Sequence, residues 1–145
     1  MRIILQRVSQ ARVSVSGKAI AQIGPGLVLL VGIDPSDQQD QARYLAEKIA
    51  HLRIFEDQDG KMNRSILDVG GEAIVVSQFT LFADTRKGRR PSFTDAAKPQ
   101  IAEPLVEQFA AILTELGIPT QNGEFGAHML VEIGNDGPVT IILER

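Results

Sequence analysis

The stretch Gly24-Pro25-Gly26-Leu27-Val28-Leu29-Leu30-Val31-Gly32-Ile33 decides the fold of this 145-residue chain. Glycine and proline break the chain at its start, and the residues that follow are almost all apolar. A short apolar run after turn residues is typical of a strand with both faces buried. We therefore predict a buried strand over residues 27–33.

The residues before this strand predict further strands. Arg12 to Ser16 alternates strictly between polar and apolar residues, which is the period of a strand with one buried face. Gly17-Lys18 suits a turn, and residues 19–23 suit the return strand. Residues 2–33 as a whole are therefore expected to be strands.

Two helices are predicted after this region. Asp34-Pro35-Ser36 opens the first, with Ser36 as its N-cap. Its apolar stripe, which has helical spacing, consists of Ala42, Leu45, Ile49 and Leu52. The second helix ends before Gly117, with Pro119 just beyond. Its start is open between Pro99, which suits a first helical position, and Pro104, which would kink a helix that began earlier.

The remaining segments predict short strands and turns. Residues 53–56 suit a short strand, residues 57–60 and 68–72 suit turns, and residues 73–82 suit a strand. The turn at 57–60 resembles part of a calcium loop, but the downstream acidic ligand is missing, so a plain turn is preferred. Residues 126–133 and 139–143 predict a terminal hairpin around Asn135-Asp136-Gly137-Pro138. The predicted fold is one α/β domain, residues 1–145, with mixed or largely antiparallel sheets and two helices covering one side.

Composition limits the classes of protein that fit. The chain is 43% hydrophobic and 23% charged, as in ordinary globular domains. It has no apolar run long enough for a bilayer and no pattern of a signal peptide, so we expect a cytoplasmic protein without a membrane partner. It has no cysteine, which excludes disulfides and thiolate chemistry. Its net charge of −3 indicates that any nucleic acid it binds contacts it through few phosphates.

Residues Ser77-Gln78-Phe79-Thr80 follow an apolar strand and are candidates for catalysis. Their side chains could simply satisfy hydrogen bonds at the sheet end. Alternatively, backbone N–H groups released from the ladder there could stabilise a developing oxyanion. Thr80 could be a nucleophile or an orienting hydroxyl, but no base for a nucleophile is evident in the sequence. We therefore favour backbone donors.

Other candidate residues have competing interpretations. The run from Arg86 to Arg90 holds four cations in five positions, which fits a solvated loop or a local phosphate contact that includes Arg89 and Arg90. On its own, Gly137-Pro138 fits a turn with a trans proline at the start of an edge strand. The two histidines, His51 and His128, lack metal-ligand spacing to carboxylates, so we expect surface or packing roles and no metal site.

Six segments in order along nearly the whole chain resemble the D-aminoacyl-tRNA deacylases of the bacterial and eukaryotic type. They are Leu5–Val8, Asn63–Gly71, Ser77–Leu81, Lys87-Gly88 with Arg90–Phe93, Gly123-x-Phe125-Gly126-Ala127-x-Met129, and Asn135–Thr140. One departure is Asn122, where the family pattern has threonine. It touches no residue assigned to catalysis.

This resemblance implies a homodimer that hydrolyses the ester between a D-amino acid and the 3′-terminal adenosine of tRNA, with no cofactor. It implies a cis bond between Gly137 and Pro138, whose carbonyl groups reach into the partner's active site and exclude L side chains. Ser77, Gln78, Phe79 and Thr80 would line the ester pocket, and the ribose 2′-hydroxyl would help to activate water. Phe125 and Met129 would border the adenosine. Glycine mischarged on tRNA would pass this filter, because it has no side chain.

Two other classes of function compete with this interpretation. One is a non-catalytic module that binds RNA ends or proteins. The other is an esterase or amidase that uses Thr80 as a nucleophile on small molecules. Release of free amino acid from D-aminoacyl-tRNA distinguishes the first from an enzyme, and a trapped acyl group on Thr80 identifies the second.

Overall fold

Strand β1 organises the sheet of this protein, whose structure is a computed structural model that describes residues 1–145. The strands are β1 Arg2–Val15, β2 Lys18–Ile23, β3 Gly26–Gly32, β4 Phe55–Glu56, β5 Met62–Arg64, β6 Glu72–Ser77, β7 Thr120–Asn122 and β8 Met129–Glu144. The helices are α1 Gln39–His51, α2 Ile66–Val69 and α3 Pro99–Glu115, and a 3₁₀ helix spans Phe79–Phe82.

β1 pairs antiparallel with three strands. β8 lies along nearly its whole length on one side, while β3 and then β2 share its other side. β6 pairs in parallel with β3, and β7 in parallel with β6. β4 and β5 form a separate two-stranded sheet. The predicted class, a mixed α/β fold with two long helices, is confirmed, and the short helix α2 is an addition to it.

The strand predicted from the opening stretch is buried on both faces. Leu27, Leu29 and Val31 belong to the larger core, which lies between the sheet and the helices α1 and α3. Val28 belongs to a smaller core on the other face of the sheet. The Gln121 side chain exchanges two hydrogen bonds with the backbone of Gln22, at 3.0 and 2.7 Å, and so draws β7 towards β2 around this smaller core.

The first helix begins later than predicted. Ser36 is not its N-cap, because the Asp34 carboxylate accepts hydrogen bonds from both the hydroxyl group (2.6 Å) and the N–H (2.9 Å) of Ser36. These bonds lower the pKa of Asp34, with the hydroxyl bond the larger cause, and hold residues 34–37 in a turn. Gln38 is the N-cap instead, and its N–H donates to the side chain of Gln41 at 3.0 Å.

The structure decides between the two predicted starts of the second helix, and it shortens one predicted strand. The last long helix begins at Pro99 and continues through Pro104, which lies in its first two turns. The strand predicted for residues 73–82 ends at Ser77, because the chain turns at Gln78 into the 3₁₀ helix. None of the helices is both long enough and apolar enough to span a membrane.

The predicted terminal hairpin is wrong. Residues 129–144 form one long strand, and both of its halves pair with β1 instead of with each other. Gln6 pairs with Thr140 and Val8 with Asn135, so residues 136–139 lie opposite the single residue Arg7. The Asp-Gly signal therefore marks an enlarged bulge and not a hairpin turn. Both halves of the strand form their backbone hydrogen bonds with β1, so they do not pair with each other.

Gly26 tests the packing of β3 against β6. A Cβ atom at Gly26 would lie 1.9 Å from the carbonyl oxygen of Glu72, which belongs to the backbone and cannot swing aside. We expect Gly26→Ala to lower the free energy of unfolding by about 3 kcal/mol or more. Urea denaturation measures this loss.

Gly24→Ala is the matched control for this measurement. A Cβ atom there would meet nothing within 4 Å, so its stability should stay within about 0.5 kcal/mol of the wild type. Equal stability of the two variants would contradict the close approach of β3 to β6.

Candidate functional site

A pocket of about 570 Å³ opens at the carboxyl ends of β3 and β6. Parallel strands commonly carry ligand sites at this end. Two further segments close it, the first turn of α3 and the loop that leads into β8. Its lining is mainly apolar and consists of Val31, Ile33, Val76, Ser77, Gln78, Phe79, Phe93, Ala96, Ala97, Pro99, Ala102, Phe125, Gly126, Ala127, His128, Met129 and Val131.

The ladder between β3 and β6 stops at one wall of this pocket. The N–H of Gln78 donates to the carbonyl of Val31 at 2.8 Å, and this is its last bond. The first N–H groups of the 3₁₀ helix have no acceptor within that helix. Neither Phe79 nor Thr80 donates its N–H to a turn or loop carbonyl of the chain. Two adjacent backbone donors are therefore free beside the pocket.

The side chains at this strand end offer little conventional catalytic chemistry. The Thr80 hydroxyl accepts a hydrogen bond from the side-chain amide of Gln78 at 2.5 Å, and it donates to no side chain that could act as its base. His128 is the one titratable side chain in the pocket lining. No three His, Cys, Asp or Glu side chains are grouped to hold a metal ion. The groups that this site offers for chemistry are therefore main-chain donors, with His128 as the alternative source of a base.

Gly32 sets the position of the segment that carries these donors. A Cβ atom at Gly32 would lie 3.0 Å from the Phe82 ring, 3.1 Å from the carbonyl oxygen of Gln78 and 3.1 Å from the Cβ of Leu81. The 3₁₀ helix therefore rests directly on the bare backbone at the end of β3. Any larger residue would push the donors away from their present position.

Aromatic and sulfur-containing side chains form the outer walls of the pocket. The rings of Phe79 and Phe93 meet edge to face, with centroids 5.0 Å apart and an interplanar angle of 76°. Phe79 is 55% exposed, which leaves most of its ring free for a ligand. Phe125 and Met129 line another part of the wall. An aromatic, mainly apolar wall of this kind suits a planar base.

The loop between the 3₁₀ helix and Phe93 carries the basic run. Asp84 and Ser92 form a short bridge at its base. The guanidinium of Arg86 donates two hydrogen bonds to the Asp84 carboxylate at 2.8 Å, which lowers the pKa of Asp84 and raises that of Arg86. Arg86 is thus neutralised locally. The other cations of the run form no ion pair in the chain, and they are Lys87, Arg89 and Arg90.

Gly137 and Pro138 lie in the bulge of β8, away from the pocket of their own chain. The bond between them is cis, as the resemblance implies, and Gly137 has a φ of +116° that favours glycine. Arg7 holds this bulge. Its buried guanidinium donates to the carbonyl of Ile54 at 2.6 Å and to that of Asp136 at 3.3 Å. The Asp136 carboxylate lies 3.4 Å from Arg7 Nε.

The structure thus gathers some of the predicted site residues and leaves others apart. Those that line the pocket are Ser77, Gln78, Phe79, Phe125 and Met129, and Thr80 lies next to it. Those outside it are Arg89, Arg90, Gly137 and Pro138. Sequence reasoning assigned no role to Arg7, Phe93 or the start of α3. Arg7 and Phe93 lie within the quoted segments, whereas nothing in the sequence signals the contribution of α3.

Comparisons with known proteins agree on one family. The model of the family described as D-Tyr-tRNA(Tyr) deacylase matches residues 4–144. A D-aminoacyl-tRNA deacylase of Thermomicrobium roseum is 61% identical over 144 residues, which cover 99% of this chain and 94% of that one. One of Heliobacterium modesticaldum is 60% identical over 144 residues, covering 99% of this chain and 96% of its own length.

Solved structures give the same fold. A c-Myc DNA unwinding element binding protein is 41% identical, with a TM-score of 0.93 and coverage of 100% of this chain and 99% of that chain. A protein described as a "probable eukaryotic D-amino acid tRNA deacylase" is 16% identical, with a TM-score of 0.83 and coverage of 98% and 97%. The second likeness concerns the fold alone.

Proposed function

Because this chain belongs to the D-Tyr-tRNA(Tyr) deacylase family, it is a D-aminoacyl-tRNA deacylase, and we propose that its reaction takes place in the pocket beside Ser77–Thr80. There it hydrolyses the ester between a D-amino acid, or a mischarged glycine, and the 3′-terminal adenosine of tRNA. The observation that carries this proposal is the pair of free N–H groups at Phe79, in the wall of an apolar pocket, and at Thr80 next to it.

The two N–H groups stabilise the charge that develops during ester hydrolysis. When water attacks the ester carbonyl carbon, its oxygen becomes an oxyanion that needs donors already in place. The N–H groups of Phe79 and Thr80 are fixed by the β3–β6 ladder on one side and by Gly32 beneath. Prearranged donors of this kind are each worth about 10²–10³ in turnover.

The substrate itself supplies the group that activates water. The ribose 2′-hydroxyl lies next to the ester on the 3′-terminal adenosine, so it is held close to the attacking water. As the water oxygen bonds to the acyl carbon, the water gives a proton to the 2′-hydroxyl, which passes its own proton to the ribose 3′-oxygen. The bond between the acyl carbon and this 3′-oxygen breaks, so the products are the free amino acid and a tRNA that ends in a 3′-hydroxyl. This role for the substrate fits the lack of an activating base at Thr80.

The volume and lining of the pocket suit the end of an aminoacylated strand. Ligand pockets of drug size span about 300–1,000 Å³, and this one of about 570 Å³ has room for a nucleoside with a small acyl group. We assign the terminal adenosine to the wall that Phe125 and Met129 form. The Phe79–Phe93 pair borders the same space.

Selection against L substrates comes from Gly137 and Pro138 of a second copy of the chain. Within one chain these residues do not line the pocket, so a partner has to provide them. Their carbonyl groups occupy the space that an L side chain needs, whereas a D side chain points away. Rejection by fixed backbone does not depend on gripping the D side chain, so we expect broad tolerance of side chains and passage of glycine.

Several features of β8 support a homodimer. β8 pairs with β1 on one side only, so its other edge is open over a long strand. Leu130 and Ile142 are 62% and 64% exposed. The side-chain oxygen of Asn135, next to the bulge, is buried without a hydrogen-bond partner, which costs about 1–3 kcal/mol unless a donor arrives.

The basic loop contacts the phosphates near the acceptor end. Arg90 precedes Phe93, which lines the pocket, by three residues, so their Cα atoms lie within about 11 Å of each other. Lys87, Arg89 and Arg90 are exposed and free of carboxylate partners. With a net charge of −3 for the whole chain, this loop provides a small footprint on tRNA and not a broad basic surface.

A deacylation assay on the D- and L-forms of one aminoacyl-tRNA tests the proposal. We expect release of the D-amino acid with a kcat/KM at least about 100-fold above that for the L-amino acid, which is more than one methylene contact can provide. Glycyl-tRNA should also be hydrolysed. Release of neither amino acid would overturn the proposed function, and equal release of both would overturn its chirality.

Gly137→Ala should lower this selectivity. Its Cβ atom would lie 2.9 Å from Val139 Cγ2 and 3.0 Å from Arg7 Nη2, in a backbone conformation that disfavours alanine, so the bulge has to move. We expect the D/L ratio to fall by about tenfold or more. Gly60→Ala is the control, since its φ of +72° is also positive but its Cβ atom would meet nothing.

Thr80→Ala should retain at least about a tenth of the wild-type kcat, because the main-chain N–H survives the change. His128→Asn should do the same, since the 2′-hydroxyl activates water. A substrate that ends in 2′-deoxyadenosine should react at least about 100-fold more slowly. A loss of 1,000-fold or more in a folded variant would identify its missing side chain as nucleophile or base, and full activity on the deoxy substrate would remove the hydroxyl from the mechanism.

The salt dependence of binding should be shallow. A tRNA whose D-alanyl group is linked by an amide can be followed by fluorescence anisotropy without being hydrolysed. Three cations on a single-stranded end predict a slope of log K against log salt near −2. Arg89→Met with Arg90→Met should bring it to roughly −0.7 and leave D/L selectivity unchanged.

The matched control for this binding experiment is Asp84→Asn with Arg86→Met, which removes a neutral pair from the same loop and should keep the wild-type slope. A wild-type slope near that for eight phosphates would reveal a second RNA-binding surface.

A further inference from the structure

We propose that Arg2 is a positioning residue for the oxyanion donors: it holds the 3₁₀ helix Phe79–Phe82 against the sheet so that the N–H groups of Phe79 and Thr80 keep their aim. The inference rests on the proposed function of these donors. Arg2 does not line the pocket, so it acts on the substrate only through the helix.

Strand register brings Arg2 to this helix. Arg2 pairs directly with Gly32 of β3 on one side and with Glu144 of β8 on the other. Residues opposite each other in an antiparallel pair point to the same face of the sheet. Because Gly32 has no side chain, the space above it is free for the 3₁₀ helix and for the end of the Arg2 side chain. The three residues thus form a row across the sheet beneath the helix.

Arg2 makes three contacts, two with the 3₁₀ helix and one with β8. Its Nη1 donates to the carbonyl of Leu81 at 2.5 Å, and its guanidinium lies 5.0 Å from the centre of the Phe82 ring. Its Nε donates to the carboxylate of Glu144, which fixes the direction of the fork. The planar guanidinium of Arg2 therefore contacts both a carbonyl and an aromatic ring of the 3₁₀ helix, while the Glu144 carboxylate fixes its orientation.

These contacts hold the helix laterally, and Gly32 supports it from below. Gly32 limits how closely the helix approaches the sheet, since even a methyl group would meet Phe82, Gln78 and Leu81. It cannot prevent sliding or rotation, because it offers no donor and no side chain. Arg2 opposes that motion by holding Leu81 and Phe82 at the far end. A displacement of about 1 Å at a reacting centre can cost on the order of 10²-fold in rate.

Steady-state kinetics on Arg2→Met provides the test, with D-aminoacyl-tRNA as substrate. Methionine keeps an aliphatic stem but loses the charge and the donors. We expect kcat to fall at least about tenfold while KM changes less than about threefold, because an interaction that counts in the transition state is lost. Affinity for a phosphonate analogue of the tetrahedral intermediate on adenosine should fall by a similar factor, whereas affinity for the D-alanyl amide analogue should not.

Two further variants separate positioning from a loss of structure. Arg2→Lys can donate to Leu81 but cannot grip Glu144 and the ring in one plane, so its kcat should lie between wild type and Arg2→Met. Arg12→Met is the matched control: it lies on the same strand and pairs with Glu132 of β8, but it is remote from the 3₁₀ helix. Its kcat should match the wild type. If Arg2→Met does not fold, the same kinetic measurements are made on Arg2→Lys and Glu144→Gln, where kcat should again fall more than KM changes.

The outcomes distinguish the positioning role of Arg2 from the proposed deacylase function. An active wild type with an unchanged kcat in Arg2→Met overturns the role of Arg2 alone. So does a loss that appears equally in KM and in affinity for both analogues. A wild type that releases no D-amino acid overturns the proposed function, and the positioning role falls with it.

Discussion

The antiparallel ladder between Arg2–Val15 and Met129–Glu144 is the constraint on which the rest of the site depends. Its two strands come from opposite ends of the chain. At one end it places Met129 in the pocket wall, and at the other it sets Glu144 behind Arg2. Between them lies the bulge with Gly137 and Pro138. Because a slip of one residue would turn every side chain to the other face, the register on each side of the bulge fixes the feature that lies there.

The interruption of this ladder is as important as its continuity. Opposite the bulge, Arg7 turns a buried cation towards Ile54 and Asp136. Burying a guanidinium is costly unless its donors are satisfied, and breaking such a group leaves an uncompensated charge. Arg7 therefore stabilises the bulge only while the carbonyl of Asp136 keeps its place. The sheet and the bulge thus specify each other.

Local pattern predicted the elements of this fold better than it predicted their partners. The alternation at Arg12–Ser16 and the apolar run after Gly26 identify strands because burial acts residue by residue. The Asp-Gly signal at 136–137 fails because its predicted hairpin competes with a ladder to β1, which lies more than a hundred residues away. Ser36 is not the cap for a local reason, because its hydroxyl group donates a hydrogen bond to the nearby Asp34 carboxylate. The pocket combines both cases: Ser77–Thr80 could be found from the sequence, whereas the wall from α3 depends on tertiary packing.

A site that uses main-chain donors does not need reactive side chains. It needs residues that hold the backbone in position. A search for a nucleophile and its base finds little here, since Thr80 is engaged by Gln78 and the pocket holds a single histidine. The specific features of the site are instead Gly32 under the 3₁₀ helix and the end of β6 at Ser77, with only Gln78 between this strand and the helix. Under the proposed function the side chains are available for binding, and Phe79 and Phe93 are exposed residues beside the pocket. Under the proposed mechanism, residues without reactive side chains, Gly32 among them, are the ones whose replacement would most disturb the geometry of the donors.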